Sequence, residues 1–248
     1  MLTKRISPIL PRIDRIPFGL AFISVSLVLL AALGTKWDWW GFRTGLFVLK
    51  IGGYASAFAA AACFVGAVWS GLSGARFGFA LTLIGLLSCL TISANLWYWK
   101  KTAETVPRIH DITTDTDNPP LFKAILPIRK DAPNPADYGG PQIAAMQRAG
   151  YPDLAPLLLP ANTNEAFQKA LSTAIKMGWE VVEANQTDGR IEATDTTFWF
   201  GFKDDIVVRI TPDKAGSRID VRSVSRVGLS DVGTNAKRIR GFLKRLEK

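Results

Sequence analysis

Residues 77–99 read FGFALTLIGLLSCLTISANLWYW, a run with no charged side chain. About 20 consecutive apolar residues in a helix cross a hydrocarbon core, so this stretch is predicted to span a membrane. Two similar runs precede it. Residues 18–33, FGLAFISVSLVLLAAL, extend through Gly34 and Thr35 toward Trp37, and residues 46–69 are interrupted only by Lys50, whose stem can carry its ammonium to the headgroups. The expected spans are therefore about 17–36, 45–69 and 77–99, in a three-helix transmembrane domain of residues 1–103. A secretory signal is the competing reading of the first run, since Lys4, Arg5, Arg12 and Arg15 form a basic n-region. Gly34-Thr35-Lys36-Trp37 is a poor cleavage site, however, and two spans follow.

Aromatic residues mark the same boundaries. Trp37, Trp39 and Trp40 follow the first span, Trp97, Tyr98 and Trp99 close the third, and Trp69 lies at the opposite interface. Indole favours that depth because its ring is apolar and its N–H wants a partner. Within the second run Gly53, Ala57 and Ala61 recur at i, i+4 and i+8, a ridge small enough to let a second helix approach, from this chain or from a membrane complex. Flanking Lys and Arg divide evenly: Lys4, Arg5, Arg12, Arg15 and Arg76 on one side, Lys36, Arg43, Lys50, Lys100 and Lys101 on the other. The basic tail before the first span then decides the orientation. It stays in the cytoplasm, and three crossings put the C-terminal domain outside, in the periplasm of a bacterial inner membrane.

The net charge of +9 belongs to the membrane flanks. Up to Lys101 there are ten Lys and Arg against Asp14 and Asp38, and beyond it twenty against nineteen. A near-neutral soluble part lacks the electrostatic footprint of a nucleic-acid binder. Both cysteines, Cys63 and Cys89, fall inside spans, so the soluble part has no disulfide, cysteine nucleophile or zinc knuckle.

Residues 104–161 hold ten of the fourteen prolines, among them Pro119, Pro120, Pro127, Pro133, Pro135 and Pro141. Proline fixes φ and removes a donor, which predicts extended coil with a short helix near residues 142–148. The interspersed Ile109, Ile112, Leu121, Phe122, Ile125 and Tyr138 suit a strap packed on a domain better than a free linker. From residue 162 to 248 the pattern turns regular. Asn162 with Glu165 resembles a capping box, Phe167, Ala170, Leu171, Ala174 and Ile175 repeat at helical spacing, and Gly178 supplies a stop. Four strands are expected near 179–184, 190–202, 205–211 and 218–227, with short turns that make neighbours antiparallel. A last helix starts near Ser230, with Val232, Ala236, Ile239, Leu243 and Leu246 inward and Lys237, Arg238, Arg240, Lys244 and Arg245 outward. The expected soluble fold is α+β, a four-stranded antiparallel meander covered by helices.

Residues 189–197 (GRIEATDTT), 199–205 (WFGFKDD), 218–228 (RIDVRSVSRVG) and 230–240 (SDVGTNAKRIR) resemble, in order, the bacterial and plastid family known as domain of unknown function 1499. The resemblance spans about residues 109–246, with the membrane segments as an N-terminal extension. It implies no reaction, ligand or functional residue.

Candidate sites therefore rest on chemistry alone. His110, the single histidine, lies with Asp111, Asp115 and Asp117, but a calcium loop needs a glycine turn and a distal glutamate, and this one runs into Pro119-Pro120. No serine sits in an elbow motif that would recruit His110. Gly228 to Gly233 has phosphate-loop spacing, yet Thr234-Asn235 replaces Lys-Ser/Thr. Arg222, Ser225, Arg226 and Ser230 precede the last helix, whose N-terminus carries unpaired N–H groups, and so form an anion-binding candidate. The opposing reading is an ion-pair lattice of Arg222 and Arg226 with Asp220, Arg209 and Glu192. Asp195 shares parity with Ile191 and Ala193 and, if inward, needs an arginine or the Thr196 and Thr197 hydroxyls. No cofactor and no metal are expected. The functional reading is a membrane-anchored, non-enzymatic binding or scaffold module, with an accessory subunit of a membrane complex as the alternative; an envelope- or lipid-modifying enzyme lacks a catalytic set.

Overall fold

The structure, a computed structural model, describes residues 15–248 and divides into two compact units, one made of the helices up to Lys101 and Trp199–Gly201, the other of Thr102–Phe198 and Phe202–Lys248. Lys4, Arg5, Arg12 and Asp14 lie outside the described residues.

The helical unit holds α1 (Arg15–Lys36), α2 (Phe42–Ser73) and α3 (Arg76–Thr105), each long and apolar enough to cross a membrane. The helices outrun the expected spans because apolarity does not end a helix. What stops α2 is Gly74, at φ 75°, whose N–H reaches the carbonyls of Gly71 and Ser70. Packing runs through small residues. Gly45, Gly52, Ser56, Ala59, Ala60, Cys63 and Ala67 are buried on α2, Ala21, Ser24, Ala31 and Ala32 on α1, and Gly78, Thr82 and Gly85 on α3. A Cβ on Gly45 would lie 1.8 Å from Thr35 Oγ1, and one on Gly85 2.8 Å from Cys63 Sγ, so these backbones touch. This seam lies one residue away from the ridge read in the sequence. Ala57 and Ala61 are exposed, and Gly53, half-buried, faces Leu96.

The second unit is α+β, but its sheet has six strands rather than four: β1 (Asp111–Thr113), β2 (Leu157–Leu159), β3 (Glu180–Asn185), β4 (Arg190–Thr196), β5 (Lys203–Asp213) and β6 (Gly216–Ser225). The order is β1-β6-β5-β4-β3, all antiparallel, with β2 also on β6. The additional strands come from the proline-rich stretch and are three residues each, too short to show a period of two. They pair end to end along one edge of β6, Asp111 opposite Val224 and Leu157 opposite Ile219. The outer edge of β1 is closed by a side chain: buried Gln147 of α4 (Gly140–Gly150) accepts from Thr113 N at 2.9 Å and donates to Thr113 O at 2.6 Å, replacing a further strand.

One sheet face is a conventional core. Helices α5 (Thr163–Lys176) and α6 (Thr234–Leu246) lay Phe167, Ala170, Ala174, Ala236, Ile239 and Phe242 on Ile191, Ile206, Val208, Ile219 and Val221. Trp179 stacks on Phe242 with centroids 4.9 Å apart. Asn162 caps α5, its Oδ1 accepting from Glu165 N at 3.0 Å. Among the described residues the other face has no helix. It is covered by residues 115–138, of which Phe122 and Ile125 pack on Val207 and Val224.

Candidate functional site

A period of two sends alternate residues of each strand to that strap-covered face: Glu192 and Thr194 from β4, Asp205 and Arg209 from β5, Asp220 and Arg222 from β6, with Arg226 just beyond. The face is thus a layer of charges, most of them buried. Arg222 is fully buried. Its Nε and Nη2 donate to the two oxygens of Asp111 at 2.9 and 2.7 Å, and its remaining donors reach Pro120 O at 3.2 Å and Ala136 O at 2.7 Å. The Phe122 and Tyr138 rings lie 5.2 and 5.5 Å from its guanidinium carbon. Arg226 forks onto Asp205 at 2.9 and 2.8 Å, and the Thr194 hydroxyl bonds the same carboxylate at 2.8 Å.

Arg129, also buried, joins from the strap. Its Nη1 is 3.3 Å from Asp205 Oδ2, and Nη2 donates to Asn134 O and Pro135 O, but Nε and Nη1 make no hydrogen bond among the described residues. Three guanidiniums therefore share the carboxylates of Asp111 and Asp205. Burial pulls Arg129 below the ordinary guanidinium value, with Asp205 opposing. Burial likewise pushes the Tyr138 hydroxyl up to about 12.

The anion-binding set expected from the sequence is not assembled. Arg222 and Arg226 face the strap, whereas Ser225, of opposite parity, faces α6, where its Oγ accepts from Asn235 Nδ2 at 3.0 Å. Ser230 Oγ accepts from Val232 N at 3.2 Å. The start of α6 already has its anion: Asp231 accepts from Gly233 N and Asn235 N, both at 2.8 Å. Burial raises the Asp231 pKa, and these two donors oppose the rise. The loop it organises is tight, with Val232, a β-branched residue, at φ 52°. The arginines form ion pairs instead, but with Asp111 and Asp205 rather than with the expected Asp220 and Glu192, while Arg209 and Arg218 clasp Asp220 and Asp115 at 2.8 to 3.0 Å. Asp115 is consumed there and in its own turn, where Oδ1 accepts from Asn118 N at 2.9 Å. Among the described residues no group of three His, Cys, Asp or Glu side chains converges.

Asp195, expected as a buried polar residue, is only half-buried, at the end of β4, and takes Arg238 as its arginine. The sequence placed Arg238 outward on α6; it is buried, donating to Asp195 at 2.7 Å, to Asp204 at 2.6 Å and to Ser223 Oγ at 3.1 Å, with Asn235 Oδ1 beside it. Asn235 Nδ2 continues the network to His110 O at 3.1 Å. Burial holds the His110 imidazole below its ordinary value. Sequence reasoning missed Asp205, Arg129 and the role of Asn235, and it gave Asp111 and Arg238 other places. One signal was readable: in the doublet Asp204-Asp205, neighbours on a strand face opposite sides, so each carboxylate must find its own cation.

The chain belongs to the family of proteins of unknown function designated DUF1499, whose family model matches residues 111–246. That match starts at β1, so the strap belongs to the family domain along with the meander. No curated protein matches the chain.

Proposed function

We propose that this protein is a membrane-anchored, non-catalytic binding or scaffold module of a bacterial inner membrane, with its α+β domain in the periplasm. The observation that carries the reading is the direct junction of three span-length apolar helices with a domain whose buried Asp111, Asp205 and Asp204 are each clasped by an arginine. Proton-transfer chemistry needs a group poised near the working pH and within reach of a substrate. A carboxylate clasped by arginine is instead a rigid structural element. The basic tail before α1 supports the orientation. A reporter enzyme that folds only outside the cytoplasm, fused after Lys248, is expected to be active; activity of a cytoplasm-only reporter at that position would overturn the periplasmic assignment.

A second reading, an accessory subunit of a membrane complex, draws support from Ala57 and Ala61, small residues that point away from the seam of the three helices. A stable complex surviving extraction in mild detergent would favour it.

A further inference from the structure

The two ends of the sheet have opposite chemistry. At one end project the β3–β4 turn, residues 186–189 (QTDG), and the β5–β6 turn, residues 213–216 (DKAG), polar as turns in water ordinarily are. At the other end the β4–β5 turn, residues 197–202, reads TFWFGF. Phe198 is 73% exposed, and Leu229, in the loop after β6, is 72% exposed. β4 and β6 flank β5, so Phe198 and Leu229 arise about two strand spacings, ~10 Å, apart.

The same end is where the chain enters the sheet. β1 runs antiparallel to β6 and starts at Asp111 opposite Val224, near the end of β6, so residues 106–110 arrive beside the aromatic turn. Those five residues are all that separate Thr105, the last of α3, from Asp111, a reach of at most ~20 Å. Trp99, which closes the apolar run, is six residues before Thr105, or ~9 Å of helix. Exposed Lys203 and Arg108 flank the turn and the entry segment. Rings beside a glycine, with lysine and arginine at the margin, are the chemistry that the headgroup layer selects.

We infer that the sheet end carrying Phe198 and Leu229 is a lipid-contact surface that seats in the headgroup layer of the bilayer. The inference rests on the membrane-anchored reading. It assigns the aromatic sheet end to lipid and leaves the polar end, with Asp188 and Asp213, for other contacts.

The test uses the full chain with Cys63→Ala and Cys89→Ala, and one new cysteine in each of three variants: Phe198→Cys, Leu229→Cys and, at the polar end, Thr187→Cys. Each is labelled with an environment-sensitive dye and reconstituted in vesicles of phosphatidylethanolamine and phosphatidylglycerol containing a lipid with a shallow nitroxide. A residue buried 5–10 Å into the headgroup boundary should show blue-shifted emission and about twofold or greater quenching at 198 and 229, with neither at 187. Quenching at 198 and 229 no greater than at 187 would overturn the inference. So would a blue-shifted but unquenched dye, which means shelter by protein. Release of the chain by alkaline extraction would instead remove the anchored reading itself, and the lipid contact with it.

Discussion

Glu192 is the tie between the sheet and its strap, and replacing it isolates what that tie contributes. It is fully buried. Its Oε1 accepts from Lys123 N at 2.9 Å, Ala124 N at 3.1 Å and Arg190 Nε at 2.8 Å, and its Oε2 accepts from Ile125 N at 2.9 Å. Glu192→Gln keeps the shape but converts one oxygen into a donor. With the amide oxygen at the Oε1 position, the new NH₂ confronts the Ile125 N–H. One buried amide is then unsatisfied, at about 1–3 kcal/mol, and the remaining bonds fall from charge-assisted to neutral strength, for a total of about 3 kcal/mol. Arg190 keeps Glu183 at 2.5 Å and Asp188 at 2.6 Å, so the loss concentrates on the strap. Local opening should therefore become roughly a hundredfold more frequent, since 1.4 kcal/mol is about a factor of ten. Hydrogen exchange resolved by peptide should show that acceleration in residues 121–130 and a smaller one in β5 and β6. Unchanged protection at residues 123–125 would refute the role given to Glu192, as would an equal increase throughout the domain.

Arg226→Ala leaves Asp205 fully buried with Arg129 at 3.3 Å as its remaining cation and the Thr194 hydroxyl as its remaining donor, so the domain should lose about 2–4 kcal/mol in denaturant unfolding. In the unsubstituted protein, phosphate and chloride at equal ionic strength should shift the melting temperature alike, because these guanidiniums already hold carboxylates; a saturable rise with phosphate alone would reinstate an anion site. Asp231 gives a pH signature. Its folded pKa lies above the unfolded value near 3.8, so the native state binds the proton more tightly, and stability falls as pH rises from 3.8 through the raised value. Asp231→Asn should remove that slope from urea unfolding measured across this window, and a slope that persists would assign it to another group.

The helical unit and the meander were legible because each carries a long repeating signal: uncharged runs for α1 to α3, and a 3.6-residue repeat or apolar alternation with turn residues for α5 and β3 to β6. The strap's architecture was not. β1 and β2 are three residues each, and their pairing with β6 is a contact over about a hundred or sixty residues of chain, which local pattern does not encode. The residues of the anion candidate are dispersed for a related reason. Arg222, Ser225, Arg226 and Ser230 are close in sequence, but the strand alternates faces, and the helix start was claimed by Asp231, an acidic residue inside the same loop. Arg238 escapes the helical pattern because it sits among the other arginines of α6, which face solvent. Its position was decided by Asp195 and Asp204, which alternation places inward on β4 and β5.

The charged layer has a structural cause in the strap itself. A chain segment broken by Pro119, Pro120, Pro127, Pro133 and Pro135 forms no ladder, yet its buried N–H and carbonyl groups need partners. The sheet supplies them. Glu192 accepts from three consecutive strap amides, Arg222 donates to Pro120 O and Ala136 O, and Asn134 Nδ2, from the strap, donates to the carbonyls of Ser225 and Gly228 at 3.0 and 2.9 Å. An apolar sheet face would pack Phe122 and Ile125 equally well but leave those backbone groups unpaired. Side chains that both reach irregular backbone and make several bonds at once are glutamate and arginine, and each then needs a counter-charge: Arg190 for Glu192, Asp111 for Arg222, Asp205 for Arg226 and Arg129. Buried ion pairs contribute little net stability when set against well-packed apolar residues. Here they specify where an otherwise shapeless strap lies.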